Sequence, residues 1–513
     1  MKLVKIRILF SFLIFALFLF LFLGGEKLST FLSSVLLPFQ FVPALIRVLT
    51  KPELLFIFGL VSVFVVTLIF GRVYCSFLCP LGMFQDIIIA LSRKIGLHKK
   101  HSFQRPCNWL RYSILSLILV SVVLGSLSLI NLLDPYSLIG RMITQIVEPI
   151  VNGIYNSAIN LFKYFHIYLF SKKTVYLPIS VVAFTLAFLI LIVSMSARYG
   201  RLYCNTLCPV GTLLGLISRT SLFKFVIDQN RCNECVRCAK VCKGGCIDAQ
   251  NKTIDQSRCI GCFNCLADCP QSVVSYYPSW GKEGSGAWSP ARRGFLIGSL
   301  AAAGSGLLMF SSGIRNLLGV AHTSQSPPIT PPGSVSLEHF TQACTACHLC
   351  VSACPTKVIT PSFLAYGMAG LLQPLMNYQK SSCEYECNIC GRVCPTGAIL
   401  PLTLEEKKLT QIGKVELFQD KCLVYKENRN CGACGEFCPT QAIFSVKKNN
   451  ILYPETDDQY CIGCGICEKA CPTTPKSVVV RSNLIHKKAV KYIDKPATSP
   501  IQQKKEADKG FPF

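Results

Sequence analysis

The stretch Cys259-Ile-Gly-Cys262-Phe-Asn-Cys265-Leu-Ala-Asp-Cys269-Pro270 follows Cys232-Asn-Glu-Cys235-Val-Arg-Cys238-Ala-Lys-Val-Cys242. Three thiols spaced by two residues converge from one tight loop, and a fourth, three residues on, leaves along a helix. That is the spacing with which cysteine thiolates hold 4Fe–4S clusters in pairs, the fourth cysteine of each motif serving the other cluster. One set is then Cys232, Cys235, Cys238 and Cys269; the other is Cys259, Cys262, Cys265 and Cys242. The first motif has no proline after Cys242, and Cys246, four residues further on, competes for that role.

Four more quartets follow: Cys344, Cys347, Cys350 and Cys354; Cys383, Cys387, Cys390 and Cys394; Cys422, Cys431, Cys434 and Cys438; Cys461, Cys464, Cys467 and Cys471. Each ends in Cys-Pro-Thr. The second and third have longer first gaps, so their first ligands sit on longer loops. Spacing leaves open which fourth cysteine joins which triplet. Zinc ribbons also use Cys-x2-Cys pairs, but not a triple-plus-proline repeated this often. Cys344-Thr-Ala-Cys347-His348 matches a c-type haem attachment site, yet Cys350 and Cys354-Pro355 complete a cluster motif on the same residues. About six 4Fe–4S clusters are expected.

Only five of the 30 cysteines fall in the first 220 residues, which are rich in Leu, Ile, Val and Phe. Five segments are apolar and long enough for a hydrocarbon core of about 30 Å: Ile8–Leu23, Leu54–Phe70, Ser113–Leu133, Val175–Met195 and Phe295–Ile314. Pro38 and Pro43 interrupt a further apolar run, Phe31–Leu49, which reads as an interfacial or re-entrant element outside the membrane. Lys2, Lys5 and Arg7 before the first span, and Arg93, Lys94, Lys99, Lys100 and Arg105 after the second, place those ends in the cytoplasm. The formal charge of +25 invites a nucleic-acid reading. Six oxidised clusters with their thiolates carry roughly −2 each, which lowers it to about +13, and basic residues also suit a membrane surface. No nucleic-acid partner is expected; the lipid bilayer is.

Two spans end in near-copies of one sequence: Gly71-Arg-Val-Tyr-Cys75-Ser-Phe-Leu-Cys79-Pro-Leu-Gly82 and Gly200-Arg-Leu-Tyr-Cys204-Asn-Thr-Leu-Cys208-Pro-Val-Gly211. Eight of the twelve positions are identical, so a two-helix unit is duplicated. Cys75, Cys79, Cys204 and Cys208 are candidates for a redox or metal relay beside Arg72 and Arg201, whose charge favours thiolate. Against this stands a purely structural cap, with proline ending the span and arginine anchoring it. Cys107 has no partner in view.

The fifth span follows Ser289-Pro-Ala-Arg292-Arg293-Gly-Phe295-Leu296, which resembles a twin-arginine export signal with Ala291 and Ile297 off the usual pattern. Export after cluster insertion would protect the thiols from pairing as disulfides in an oxidising compartment. The expected organisation is a four-span membrane domain (1–220), a cytoplasmic two-cluster module (221–280), the signal-like span (288–316), a proline-rich linker (323–333), an outer four-cluster module (334–485) and a disordered tail (486–513). The fold class is an α-helical membrane domain plus α+β ferredoxin-like 4Fe–4S modules.

Taken together, residues 1–280 resemble the NapH-type membrane ferredoxins, and residues 288–485 resemble the exported four-cluster ferredoxins of the NapG and MauM type. The resemblance implies quinol dehydrogenase work in the inner membrane of a bacterium. Electrons would pass from the quinol pool to a periplasmic reductase or cytochrome. No Gly-x-Gly-x-x-Gly fingerprint supports a nicotinamide or FAD site. Two other classes compete: an assembly factor that reduces a metal for another enzyme, and a redox sensor. Catalytic and quinone-binding residues are not identified by any motif.

Overall fold

The computed structural model describes residues 2–96, 103–123, 125–164, 166, 168, 170–278, 327–448 and 450–492. The signal-like segment around Arg292–Arg293 and the span Phe295–Ile314 lie outside the described residues.

Helix α1 (Lys2–Leu23) is apolar along its length and, among the described residues, is one of two helices long enough to cross a bilayer; the other is α11 (Ile179–Tyr199). Between them the span count departs from expectation. Helices α2 (Glu26–Leu36) and α3 (Phe41–Thr50) meet at Pro38 with a 92° bend. Helix α4 (Leu54–Phe70) has 17 residues and α7 (Asn108–Val123) has 16. The predicted span Ser113–Leu133 is not one helix: the chain turns at Gly125, in the left-handed region (φ +78°), and restarts as α8 (Ser128–Leu133). Among the described residues, two helices are long and apolar enough to cross, or three if the bent pair counts as one span, rather than the four expected there.

The bent pair does not cross. Glu26 at its start meets Arg392 (3.4 Å), and Thr50 at its end donates to the Thr396 carbonyl (2.9 Å). Both ends thus touch the same module, so the chain enters the helical domain and returns. The second half repeats the move. Helix α8 starts with Ser128 bonded to the Met368 carbonyl, breaks at Asp134, and returns as α9 (Pro135–Met142) and a π-helical turn, Ile143–Val147, to Gln145, which meets His348 (3.0 Å). The duplication read in the two twelve-residue copies therefore extends to a helix, a re-entrant hairpin and a second helix.

The copies themselves have a local logic. Gly71 (φ +77°) and Gly200 (φ +72°) end α4 and α11 (Ile179–Tyr199) in a conformation that favours glycine. A short turn follows, α5 (Tyr74–Phe77) in one copy and α12 (Leu202–Thr206) in the other. Cys79 and Cys208 then stand at the N-cap, and Pro80 and Pro209 open α6 (Pro80–Lys94) and α13 (Pro209–Ser218), where proline's missing N–H costs nothing. A Cβ on Gly82 would lie 2.4 Å from the Cys75 carbonyl oxygen, and one on Gly211 2.1 Å from that of Cys204, so only glycine permits the approach.

The first cysteine-rich module, 223–278, is built on an antiparallel pair, Phe223–Ile227 with Val274–Pro278. It sits where α4 and α11 end: Leu222 N–H donates to the Leu68 carbonyl (2.8 Å), and Arg201 N–H to that of Lys243 (2.8 Å). The second module, 327–492, sits at the other end of α1, where Ser352 donates to the Phe22 carbonyl. One apolar core continues from the helical domain into this module. Its main sheet pairs Thr410–Leu417 with Val478–Lys488.

Two sequence boundaries change here. Residues 327–333, expected as linker, are packed into the module: Met376 N–H donates to the Ile329 carbonyl (2.9 Å), and Leu400 N–H to that of Gly333 (2.9 Å). Residues 486–492, expected in a disordered tail, continue the strand: Lys487 pairs with Gln411, and Ala489 N–H reaches the Leu409 carbonyl (2.7 Å). Polar composition suggested flexibility, but backbone pairing along a sheet edge is indifferent to it.

The helical domain meets the second module most tightly at Gly140, where an added Cβ would lie 2.4 Å from the Cys347 carbonyl oxygen and against the Phe22 ring. Gly140→Ala is expected to cost about 1–3 kcal/mol. It should lower the unfolding midpoint and speed proteolytic release of the second module.

Candidate metal centres

All 30 cysteines are free thiols, and cysteines of every predicted quartet stand around a few shared spaces. In four of the motifs the residue after the second cysteine is left-handed: Val236, Phe263, His348 and Gly465, with φ from +59° to +75°. That reversal turns three thiols toward one space, after which a short helix carries the fourth away, such as Leu349–Ala353 before Cys354.

Small spaces ringed by these thiols result. In the first module one is lined by Cys232, Cys235, Cys238 and Cys269. The next is lined by Cys259, Cys262 and Cys265 with both Cys242 and Cys246, whose sulfurs lie 3.5 Å apart. The second module resolves the pairing that spacing left open. Cys344, Cys347 and Cys350 share a cavity with Cys394, not with Cys354. Cys461, Cys464 and Cys467 share one with Cys438, and Cys422, Cys431 and Cys434 share one with Cys471. The remaining triplet, Cys383, Cys387 and Cys390, faces Cys354. The fourth cysteine is exchanged within each pair of motifs.

Among the described residues no group of three or more His, Cys, Asp or Glu side chains is arranged to hold a single ion. Burial pushes Cys347 and Cys464 up to about 12, and Cys383 and Cys434 up to about 11. Two thiols go the other way: the hydrogen bond with Cys246 brings Cys242 down to about 7, and at Cys471, where burial opposes it, the Ser477 and Thr473 hydroxyls do the same. Four buried sulfurs facing one space thus need a cationic core to ionise together, and a 4Fe–4S core fits that donor set.

The four helical-domain cysteines also meet. Cys75, Cys79, Cys204 and Cys208 are all buried and lie within electrostatic reach of one another. Each repeat is tied to the other by its arginine: Arg72 donates to the Cys204 carbonyl (3.0 Å) and Arg201 to that of Cys75 (2.5 Å). The next residue in one copy, Ser76, donates to the Ile260 carbonyl (2.5 Å), inside the Cys259–Cys262 loop. Tyr74 and Tyr203, preceding Cys75 and Cys204, reach the tips of the two hairpins: Tyr74 donates to Gln40 (3.2 Å) and Tyr203 to the Leu133 carbonyl (2.7 Å). Cys107 is exposed and apart.

Sequence reading missed Asp86, which pairs at once with Arg7 (3.0 Å), Arg201 (2.9 Å) and Lys243 (2.8 Å). No local pattern announces it, because its partners come from α1, the second repeat and the first module. It also missed Tyr136 and Arg141 on the second hairpin, both buried. A polar run in an otherwise apolar stretch was the available signal.

Three family models match. A 4Fe-4S binding domain covers residues 53–98 and 181–228, the two repeats that carry the helical-domain cysteines. Two 4Fe-4S dicluster domains cover 343–399 and 429–474; the first range holds one exchanging motif pair of the second module whole, and the second holds the other pair except Cys422. Among curated proteins, the ferredoxin-type protein NapH of Haemophilus influenzae is 27% identical over 193 residues, 37% of this chain and 54% of that protein. The methylamine utilization ferredoxin-type protein MauM of Methylobacillus flagellatus is 33% identical over 104 residues, 20% of this chain and 44% of MauM. The chain thus spans about half the length of these relatives. No solved structure matches. The ferredoxin-type protein NapF of Escherichia coli is 30% identical over 152 residues, 29% of this chain and 83% of NapF. With most of that relative covered, the chain belongs to the ferredoxin-type 4Fe–4S iron–sulfur proteins.

Proposed function

We propose that this protein is a transmembrane electron wire, carrying electrons from quinol in a bacterial inner membrane to a reductase or cytochrome on the outer face. The observation that carries the reading is the placement of two cysteine-rich modules at opposite ends of one helical domain, with four buried thiols between them. The six centres would be held by the groups of cysteines that line each space, with Cys242 or Cys246 completing the second centre. From Arg7 at one end of α1 to Phe22 at the other is about 22 Å at the helical rise. Electrons crossing that distance need an intermediate, and Cys75, Cys79, Cys204 and Cys208 occupy the gap.

Within the second module the path would run from the Cys344 centre to the Cys383 centre, then to the Cys461 centre and the Cys422 centre. Cys383 N–H donates to the Cys464 carbonyl (2.9 Å), which joins the two halves. The clusters supply the redox chemistry when bound; the chain buries them, orders them and holds them at fixed spacing. The Lys and Arg distribution puts the first module in the cytoplasm and the second outside. The 17- and 16-residue helices α4 and α7 cross together with their flanking turns.

The test is EPR on membranes after a quinol analogue is added. Cluster signals from both modules are expected with quinol, as with dithionite. Signals with dithionite alone would overturn quinol oxidation. Replacing Cys75, Cys79, Cys204 and Cys208 with Ser is expected to stop reduction of one module from the other while the six clusters remain. Unchanged transfer would reduce these cysteines to structural caps.

A further inference from the structure

The longest run of unpartnered buried polar atoms, among the described residues, lies on the second re-entrant hairpin. Asn131 is fully buried with neither amide atom bonded. Both terminal nitrogens of Arg141 and the Thr144 hydroxyl are also without partners, and all three residues are at least 96% buried. Asp134, at the break of the hairpin, caps α9 through Ser137 N–H (2.8 Å) and the Ser137 hydroxyl (2.7 Å).

These groups sit between the redox candidates. Arg141 lies within electrostatic reach of Asp134, of Tyr203 beside Cys204, and of Cys347. Tyr136 faces Cys347 and Asp134. The hairpin tip is therefore bounded by the helical-domain thiols on one side and by the Cys344, Cys347, Cys350 and Cys394 space on the other.

Buried polar groups without partners are costly, so natural sites that keep several of them hold a ligand or water. Arg141 repels a cation, and Asp134 repels an anion. Asn131 and Thr144 both donate and accept. A neutral ligand carrying O–H donors and oxygen acceptors suits all of them. We propose that the tip of this hairpin binds the head group of a hydroquinone, with Asp134 as its proton acceptor and Asn131 and Arg141 holding its oxygens. This rests on the quinol reading above and gives it a site. Oxidation to the quinone breaks two O–H bonds. Both protons leave in turn through the Asp134 carboxylate, and an iron–sulfur centre held by Cys344, Cys347, Cys350 and Cys394 would accept the two electrons one at a time.

The test uses the full chain in detergent or nanodiscs, with a fluorescent quinol-site inhibitor of the hydroxyquinoline N-oxide type as binding probe and menadiol as reductant. Asn caps a helix about as well as Asp, so Asp134→Asn removes the charge and keeps the fold. Asn131→Leu removes the amide. Each variant is expected to weaken inhibitor binding at least tenfold and to slow reduction by menadiol, with the dithionite-reduced EPR spectrum unchanged. Wild-type affinity in both variants would overturn the site and leave the hairpin holding water only. Wild-type protein that neither binds the inhibitor nor accepts electrons from menadiol would instead overturn the quinol reading itself.

Discussion

Serine at Cys394 is expected to abolish the centre built on Cys344, Cys347 and Cys350, and to leave intact the one built on its own motif. The space around Cys344, Cys347 and Cys350 is closed by Cys394, while Cys383, Cys387 and Cys390 face Cys354. Cys354→Ser should therefore do the reverse. Each variant would lose about four irons per chain, so iron content alone does not separate them; function does. The Cys394 centre is the one that faces the helical domain, through Gly140 and Tyr136. Its loss should stop reduction of the whole module, measured as the quinol-reduced EPR signal relative to dithionite. Loss of the Cys354 centre should leave the first centre reducible and strand the remaining two.

The second large effect is expected at Asp86. Its carboxylate is 7% exposed and neutralises Arg7 and Arg201, which are 1% and 0% exposed, together with Lys243. Removing one partner of a buried ion pair leaves uncompensated charge and costs about 3–5 kcal/mol; here three cations are left at once. Asp86→Ala should lower the unfolding midpoint of the solubilised protein and free the first module, through Lys243, for proteolysis at lower protease concentration. Asp86→Asn keeps the shape and loses the charge, so it should behave almost as badly. If the Asp86→Asn variant were as stable as wild type, the network would be packing rather than charge.

The two results bear on different parts of one architecture. Asp86 fastens α1, the second repeat and the first module around a single carboxylate. Cys394 opens the second module to the helical domain. Between them lie the paired repeats, each of which lends its arginine to the carbonyl of the other's first cysteine. A pair of repeats joined in this way brings four cysteines from positions 75 to 208 into one buried group, which neither repeat alone would do.

The cluster motifs were legible because their chemistry is local. Three thiols on one loop converge through a left-handed residue after the second cysteine, and that geometry needs only the intervening residues. The duplication was legible for the same reason: Gly, Tyr, Cys and Pro at matching positions each serve a nearby turn. The spans were read less well. Apolar content is the same in a crossing helix and in a short helix that turns back, so Ser113–Leu133 read as one span although Gly125 and Asp134 break it. The packed segment 327–333 and the strand residues 486–492 were misread because polar and proline-rich composition says nothing about backbone partners supplied from elsewhere.

From its sequence alone, then, the protein carries iron–sulfur motifs in six quartets and a duplicated cysteine unit in an apolar domain. Side-chain spacing within a few residues is enough to set thiols around a common space. Only the tertiary structure decided that Cys394 closes the Cys344 space and Cys354 faces the Cys383 triplet, that Ser128–Met142 turns back as a second hairpin, and that Asp86 gathers Arg7, Arg201 and Lys243. Each of these depends on which distant surfaces pack together, and packing is a property of the folded whole rather than of any stretch of chain.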